Sequence, residues 1–221
     1  MKSVYIQSFL LSFTIVIPAI IGLVRYRQMD RRYHPFVWIC CFTVCNELFK
    51  FYLNLQNITS TASYNIAVIA VCYLYLYLFW GWGLLRQPRG LVYCLAAILL
   101  AVWVADHFLI GGNRIHARTN LFRVCFAVTI VTTSIENLSR LVTLEKHSLA
   151  RNAQFLICLS LTLYYTFRIV TDVFMPLGSF SRSFQFNMAT TQRIFLQSLY
   201  FTFALAALWI PRKKKFTMLF S

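Results

Sequence analysis

Long apolar runs broken by short polar connectors set the pattern of this chain. Seven runs stand out, near 4–24, 35–55, 64–85, 90–110, 120–139, 152–176 and 190–210. Each is long enough, as a helix, to cross the roughly 30 Å hydrocarbon core of a bilayer. Helices are required there, because lipid offers no partner to an unpaired backbone N–H or C=O. The alternation in "YLYLYLFW" (73–80) has a strand-like period, but the apolar run around it is too long and continuous for a barrel strand. Because the connectors are short, the pattern predicts one all-α domain over residues 1–221, a polytopic bundle of seven transmembrane helices.

Basic residues between the runs orient the bundle. Arg25, Arg27, Arg31 and Arg32 follow the first run, and Arg86 and Arg89 the third. Arg140, Lys146 and Arg151 follow the fifth, and Arg212, Lys213, Lys214 and Lys215 the seventh. These thirteen bases share one side, whereas Lys2, Arg114, Arg118 and Arg182 are the four on the other. The positive-inside rule then places the N-terminus outside and the C-terminus in the cytoplasm. Trp80 and Trp82, just before Arg86, suit an aromatic belt at the inner interface. A cleaved signal peptide is not expected, because four arginines follow the first run and no small-x-small site ends it. Of two N-x-[ST] sequons, Asn57-Ile58-Thr59 falls in an outer loop, and Asn137-Leu138-Ser139 falls at a cytoplasmic end.

Composition supports the membrane reading and narrows the partners. Only 12% of the 221 residues are charged and 59% are hydrophobic, where a soluble domain would be about a quarter charged. The formal charge of +15 is spread over short inter-run clusters rather than along one face. It therefore reads as a topology signal and not as a nucleic-acid surface. Seven cysteines all fall within apolar runs without metal-type spacing, which makes them small apolar side chains packed between helices.

Eight charged residues remain inside the runs: Glu47, Lys50, Asp106, Arg123, Glu136, Arg168, Asp172 and Arg193. Each costs about 2.5–3.5 kcal/mol at the bilayer centre if left alone, so each must pair, face a wet cavity or snorkel. Glu136 belongs to the inner end, where Arg140 lies four residues on and completes a helical pair. The alternating direction of the runs brings the other seven, with His107, to the outer half. Helical spacing aligns them further. Glu47, Lys50 and Asn54 share one stripe, as do Tyr165, Arg168 and Asp172, and also Arg193, Gln197 and Tyr200. Tyr64 and Asn65 open the third run at the same level. Tyr73, Tyr75 and Tyr77 read as packing. The plainer account has Glu47–Lys50 and Arg168–Asp172 as pairs within single helices, with Arg123 and Arg193 snorkelling and Asp106–His107 solvated at the interface. A shared polar pocket is preferred because five helices contribute at one depth.

Familiar chemistry is missing. The last run holds Arg193 but no lysine for a retinal link. His107 is alone among four histidines in lying within a run, too few for a membrane zinc hydrolase. No P-loop, Gly-rich nucleotide loop, CxxCH or HExxH occurs. No cofactor or metal is expected, and nothing favours catalysis.

Seven spans with the N-terminus outside and the C-terminus inside give a layout similar to that of SWEET-type sugar carriers, PQ-loop carriers and the KDEL receptor. That resemblance implies two parallel three-helix repeats joined by an extra span. The second run, with Glu47 and Lys50, would then correspond to the sixth, with Arg168 and Asp172. Here "RQPRG" (86–90) reverses the PQ pair and sits in a loop, and only Pro18 of five prolines is mid-run. The texture of "IPAIIGLVRYRQMDRRYHPFVWI" (17–39), "NELFKFYL" (46–53) and "YNIAVIAVCYLYLYLFWGWGLL" (64–85) resembles uncharacterised multi-span bacterial integral membrane proteins. It implies a bacterial inner-membrane location and carries no activity.

The expectation is thus an integral membrane protein with a charged pocket in the outer half of its bundle, binding a small polar or charged solute. The pocket residues are Glu47, Lys50, Asp106, His107, Arg123, Arg168, Asp172 and Arg193. Carriage of the solute is preferred, as no cytoplasmic output domain accompanies the spans. The alternatives are a sensor that reaches a protein partner through the basic inner loops, and a structural subunit whose charges serve as glue between helices. The bilayer itself is the other partner, with the tail "PRKKK" (211–215) as anchor.

Overall fold

Helices occupy all seven stretches that the apolar pattern marks. The computed structural model describes residues 13–56, 58, 61–85, 90–110, 121–144, 149–177 and 181–212. Within them run α1 (Val16–Arg25), α2 (His34–Leu55), α3 (Thr61–Gly81), α4 (Leu91–Val104), α5 (Leu121–Leu144), α6 (Ala153–Leu177) and α7 (Arg182–Trp209). A 3-10 turn, Phe13–Ile15, leads into α1, and α4 continues as a π-helical turn, Ala105–Ile110. No β-strand occurs among the described residues. Residues 4–12 of the first expected span lie outside the described residues, as do Lys2, Arg86, Arg89, Arg114, Arg118, Lys146 and the bases at 213–215. So do Asn57 and Thr59 of the outer sequon.

Local chemistry sets several helix ends. Asp30 accepts from the Arg32 N–H at 3.0 Å, opening a 3-10 turn that runs into α2, where Pro35 sits in the first turn and lacks no needed donor. Asn152 Oδ1 accepts from the N–H groups of Gln154 (2.8 Å) and Phe155 (3.3 Å) at the start of α6. Ser181 caps α7 by accepting from the Phe184 N–H, so this helix begins at Arg182 rather than near 190. At the end of α3, Gly83 adopts φ 85°. The Leu84 N–H then reaches the Phe79 carbonyl at 3.3 Å and the Gly83 N–H reaches that of Trp80 at 3.0 Å. That is the Schellman arrangement, and its left-handed position favours glycine.

Five helical stretches are long and apolar enough to cross a membrane: Arg31–Leu55, Ser63–Gly81, Leu91–Phe108, Leu121–Thr143 and Ala153–Phe174. The described part of the first expected span, Phe13–Arg25, is a shorter apolar helix. α7 has 28 residues but opens on the polar stretch "RSFQFNMATTQR" (182–193). Large apolar side chains cover the outside of the bundle, among them Ile20 and Val24 on α1, Leu163 and Phe174 on α6, and Phe201 and Leu208 on α7. Apolar surface of this extent is rare on proteins that face water and costs nothing against hydrocarbon.

The helices close into a ring in chain order. Each packs on the next, α7 returns to α1, and α3 also touches α5 across the ring. Close approach of α1 and α2 depends on Gly22, where an added Cβ would sit 2.9 Å from Cγ2 of the fully buried Val37. Inside the ring, Phe36 of α2 meets Phe203 of α7 edge to face at 5.1 Å. Phe126 of α5 meets Tyr165 of α6 at 5.3 Å, and Tyr165 meets Tyr75 of α3 at 6.3 Å.

Arg25 makes the α1–α7 closure polar as well as apolar. Its guanidinium donates to the carbonyls of Ala207 (2.6 Å), Leu208 and Ile210 (3.0 Å), which are exposed by the end of α7. The Asp30 N–H donates to the Pro211 carbonyl at 3.1 Å, and Met29 and Arg212 pair as an isolated β-bridge. Arg25→Met should therefore destabilise the purified protein by about 1–3 kcal/mol, measured as a lower Tm in detergent. An unchanged Tm would mean that the end of α7 finds its donors elsewhere.

Candidate functional site

Two turns of α2 present a polar stripe to the ring interior: Thr43, Asn46, Glu47 and Lys50 all line a central cavity. Their spacing of three, four and seven places them on one helix face. Tyr64 faces them from the first turn of α3, Arg123 from α5, and Tyr164, Tyr165 and Arg168 from α6. Leu196, Leu199, Tyr200 and Phe203 of α7 complete the wall. The cavity measures about 190 Å³, room for several waters or one small organic molecule.

Charges at one end of this cavity are wired together. Lys50 Nζ lies 2.7 Å from Glu47 Oε1, a pair within α2. Asp172 of α6 receives Arg123 from α5 through one oxygen and, through the other, Arg168 Nε at 3.4 Å. Arg168 also donates to the hydroxyls of Tyr164 (2.7 Å) and Tyr64. The Tyr64 ring sits among three cations, with Lys50 Nζ 5.1 Å from its centroid and the guanidinium carbons of Arg123 and Arg168 at 5.7 and 5.9 Å. A ring face stabilises a nearby cation, and here it joins the Glu47–Lys50 pair to the Arg–Asp–Arg group. Three cations against two carboxylates leave the cluster with one excess positive charge.

Five of the eight expected site residues therefore share one cluster. Glu47, Lys50, Arg123 and Arg168 stand on the cavity wall, and Asp172 holds the two arginines from behind. The in-helix pairs of the plainer account exist, but Asp172 also binds across helices, which α6 alone does not provide for. The remaining three lie elsewhere. Asp106 is buried in the π-turn after α4, where its Oδ2 accepts from the Phe122 N–H at 2.8 Å and caps α5. His107 is buried beside it, with Nδ1 2.9 Å from the Trp103 carbonyl and its ring 4.4 Å from that of Trp103. Neither lines the cavity, because α4 contributes nothing to its wall. Arg193 is exposed on α7, a turn before Leu196, the first α7 residue to reach the cavity. Asn54 is likewise exposed, so the α2 stripe runs back through Asn46 and Thr43 rather than forward.

Tyr64 and Tyr164 are the participants that charge alone does not reveal. Tyr164 precedes Arg168 by four residues, the spacing of helix neighbours. Tyr64 needs the tertiary arrangement, since its cations come from α2, α5 and α6. Of the three tyrosines read as packing, Tyr73 donates to the Ala96 carbonyl of α4 at 3.2 Å, and Tyr77 stacks on Trp80 at 5.7 Å. Tyr75 is buried at the cavity floor. At the other end of α5, Glu136 and Arg140 form the expected pair at 2.9 Å, more than half exposed. No group of three or more His, Cys, Asp or Glu side chains arranged to hold a metal ion occurs among the described residues. All seven cysteines are free, and that of Cys158 accepts from Asn137 Nδ2 at 3.0 Å.

Comparison with family models, with curated proteins and with solved structures finds no match to this chain. The site must be read from its own geometry. Removing the charge of Asp172 strands two arginines, whereas removing that of Glu136 frees one solvated side chain. Asp172→Asn should lose about 3–5 kcal/mol and Glu136→Gln under about 1 kcal/mol, compared as shifts in Tm of the purified variants. Equal shifts would show that Arg123 and Arg168 do not depend on Asp172.

Proposed function

We propose that this chain is an integral protein of a bacterial inner membrane. Its seven helices span the bilayer with the N-terminus outside, and the central cavity binds a small polar or charged solute for transport. The observation that carries this reading is the cavity of about 190 Å³ inside the helix ring, with four ionised side chains on its wall. Ionised groups kept inside an apolar bundle normally serve a pathway or a ligand. The thirteen-to-four distribution of bases supports the orientation, which turns the Glu47–Lys50 end of α2 outward. At the opposite end, Arg25 and Asp30 bind the end of α7, and the Trp82 ring lies within 6 Å of those of Tyr33 and Phe79. Charges gathered at one end of the bundle and packed side chains at the other suit one state of an alternating-access carrier.

Flux into proteoliposomes tests the proposal directly. A panel of radiolabelled amino acids, small carboxylates, amines and sugars should contain at least one solute that enters with saturation. Its flux should fall at least tenfold in Glu47→Gln and Arg168→Gln variants that retain the wild-type elution profile. Flux unchanged in both would remove the cavity from the pathway, and saturable binding without flux would make the protein a receptor instead of a carrier.

A further inference from the structure

Resting on that reading, we infer that the cavity selects an amphiphilic monoanion, a free carboxylate carried on an apolar body about the size of one ring. Lys50 and Arg123 would receive its head.

The charge balance excludes most alternatives. Arg168 already has three partners, Tyr164, Tyr64 and Asp172. Both carboxylates are also engaged, Glu47 by Lys50 and Asp172 by both arginines. Among the charged groups on the wall, unused donors therefore remain on Lys50 and Arg123, beside the neutral Asn46, Tyr165 and Tyr200. Arg123 reaches only Asp172 through one terminal nitrogen, and its Nε is buried without a hydrogen-bond partner. Lys50 has three donor hydrogens and spends one on Glu47. Both cations stand within 6 Å of the Tyr64 centroid, so an anion placed between them would balance the excess charge. A cation entering the same space meets three like charges and two carboxylates that are already paired.

Beneath the head, the wall changes character. Phe42, Val68, Val71, Phe126, Leu196 and Phe203 are apolar lining residues, which a fully hydrated solute would leave against trapped water. An apolar body displaces that water, and the hydrophobic effect rewards the exchange. Size limits the body. A cavity of about 150 Å³ can hold benzene, so about 190 Å³ admits a ring plus a one-carbon acid group. Lys50, Tyr64, Arg123 and Arg168 gather at one end, and Tyr75, Phe126 and Tyr165 meet about one turn further along α5 and α6.

Benzoate, benzamide, benzylammonium and acetate separate the contributions, because each of the last three shares with benzoate either the ring or the negative charge, but not both. Binding is measured by calorimetry on protein in phosphatidylcholine nanodiscs, with empty discs as the blank. Benzoate should bind saturably and at least tenfold tighter than each of the other three. Arg123→Gln and Lys50→Gln should each weaken it at least tenfold, and either variant suffices if the other does not fold. Acetate equal to benzoate would overturn the apolar subsite, and benzamide or benzylammonium equal to benzoate would overturn the anion site. Octadecanoate in the disc should leave benzoate binding unchanged. Displacement would assign the site to a lipid carboxylate and overturn the free-solute class. If benzoate fails while another solute from the flux panel binds, the amphiphilic-monoanion class falls and the pocket reading stands. If no solute from either panel binds, both fall.

Discussion

Asp172 is the counterion on which two arginines from neighbouring helices depend. An arginine inside an apolar bundle is tolerable only when its charge is met, and Arg123 and Arg168 meet theirs on opposite oxygens of this one carboxylate. The pairing ties α5 to α6 and aims both guanidinium groups at Tyr64 of α3. Through the Tyr64 ring, the Glu47–Lys50 pair of α2 joins the same group. Four helices are thereby fixed around one small volume by polar contacts, while their outer faces carry the apolar side chains that hydrocarbon accepts.

Polar contacts in hydrocarbon act as position-setting glue more than as net stabilisation, because separated helices also find partners there. Apolar packing on its own leaves a ring of helices free to slide and rotate. The Arg–Asp–Arg group at one end and the Arg25 contacts to the α7 carbonyls at the other remove that freedom. Between these clamps, the aromatic side chains of α2, α3, α5, α6 and α7 fill the ring without closing it fully. What remains open is the cavity, charged where the first clamp lies and lined further in by apolar and neutral polar side chains.

Helix positions were legible because lipid-facing helices must be continuous in apolar residues, so α2 to α6 announce themselves by length alone. α7 was legible only in its apolar second half, since its beginning rests on a single capping serine, Ser181. Five of eight candidate residues could be placed together from cost and spacing, as charges in hydrocarbon must find one another. Asp106 shares that cost but settles it locally by capping α5, which no periodicity distinguishes from a pocket position. Arg193 shares the face of Tyr200 by spacing, yet stands on a turn that the cavity does not reach. Tyr64 and Tyr164 carry no charge; Tyr164 joins the cluster through Arg168 one turn along α6, and Tyr64 through neighbours on other helices.

The central proposal is that the cavity inside the helix ring is reached by water from the outer side. Site-directed labelling tests it most directly, with Asn46→Cys on the cavity wall and Leu163→Cys on the exposed apolar surface, each in a chain whose seven native cysteines are replaced. A membrane-impermeant thiol reagent is applied to right-side-out and to inside-out vesicles. The account predicts labelling at position 46 from the outside only, and none at position 163. Labelling at position 46 from the cytoplasmic side alone, or from neither side, would contradict it.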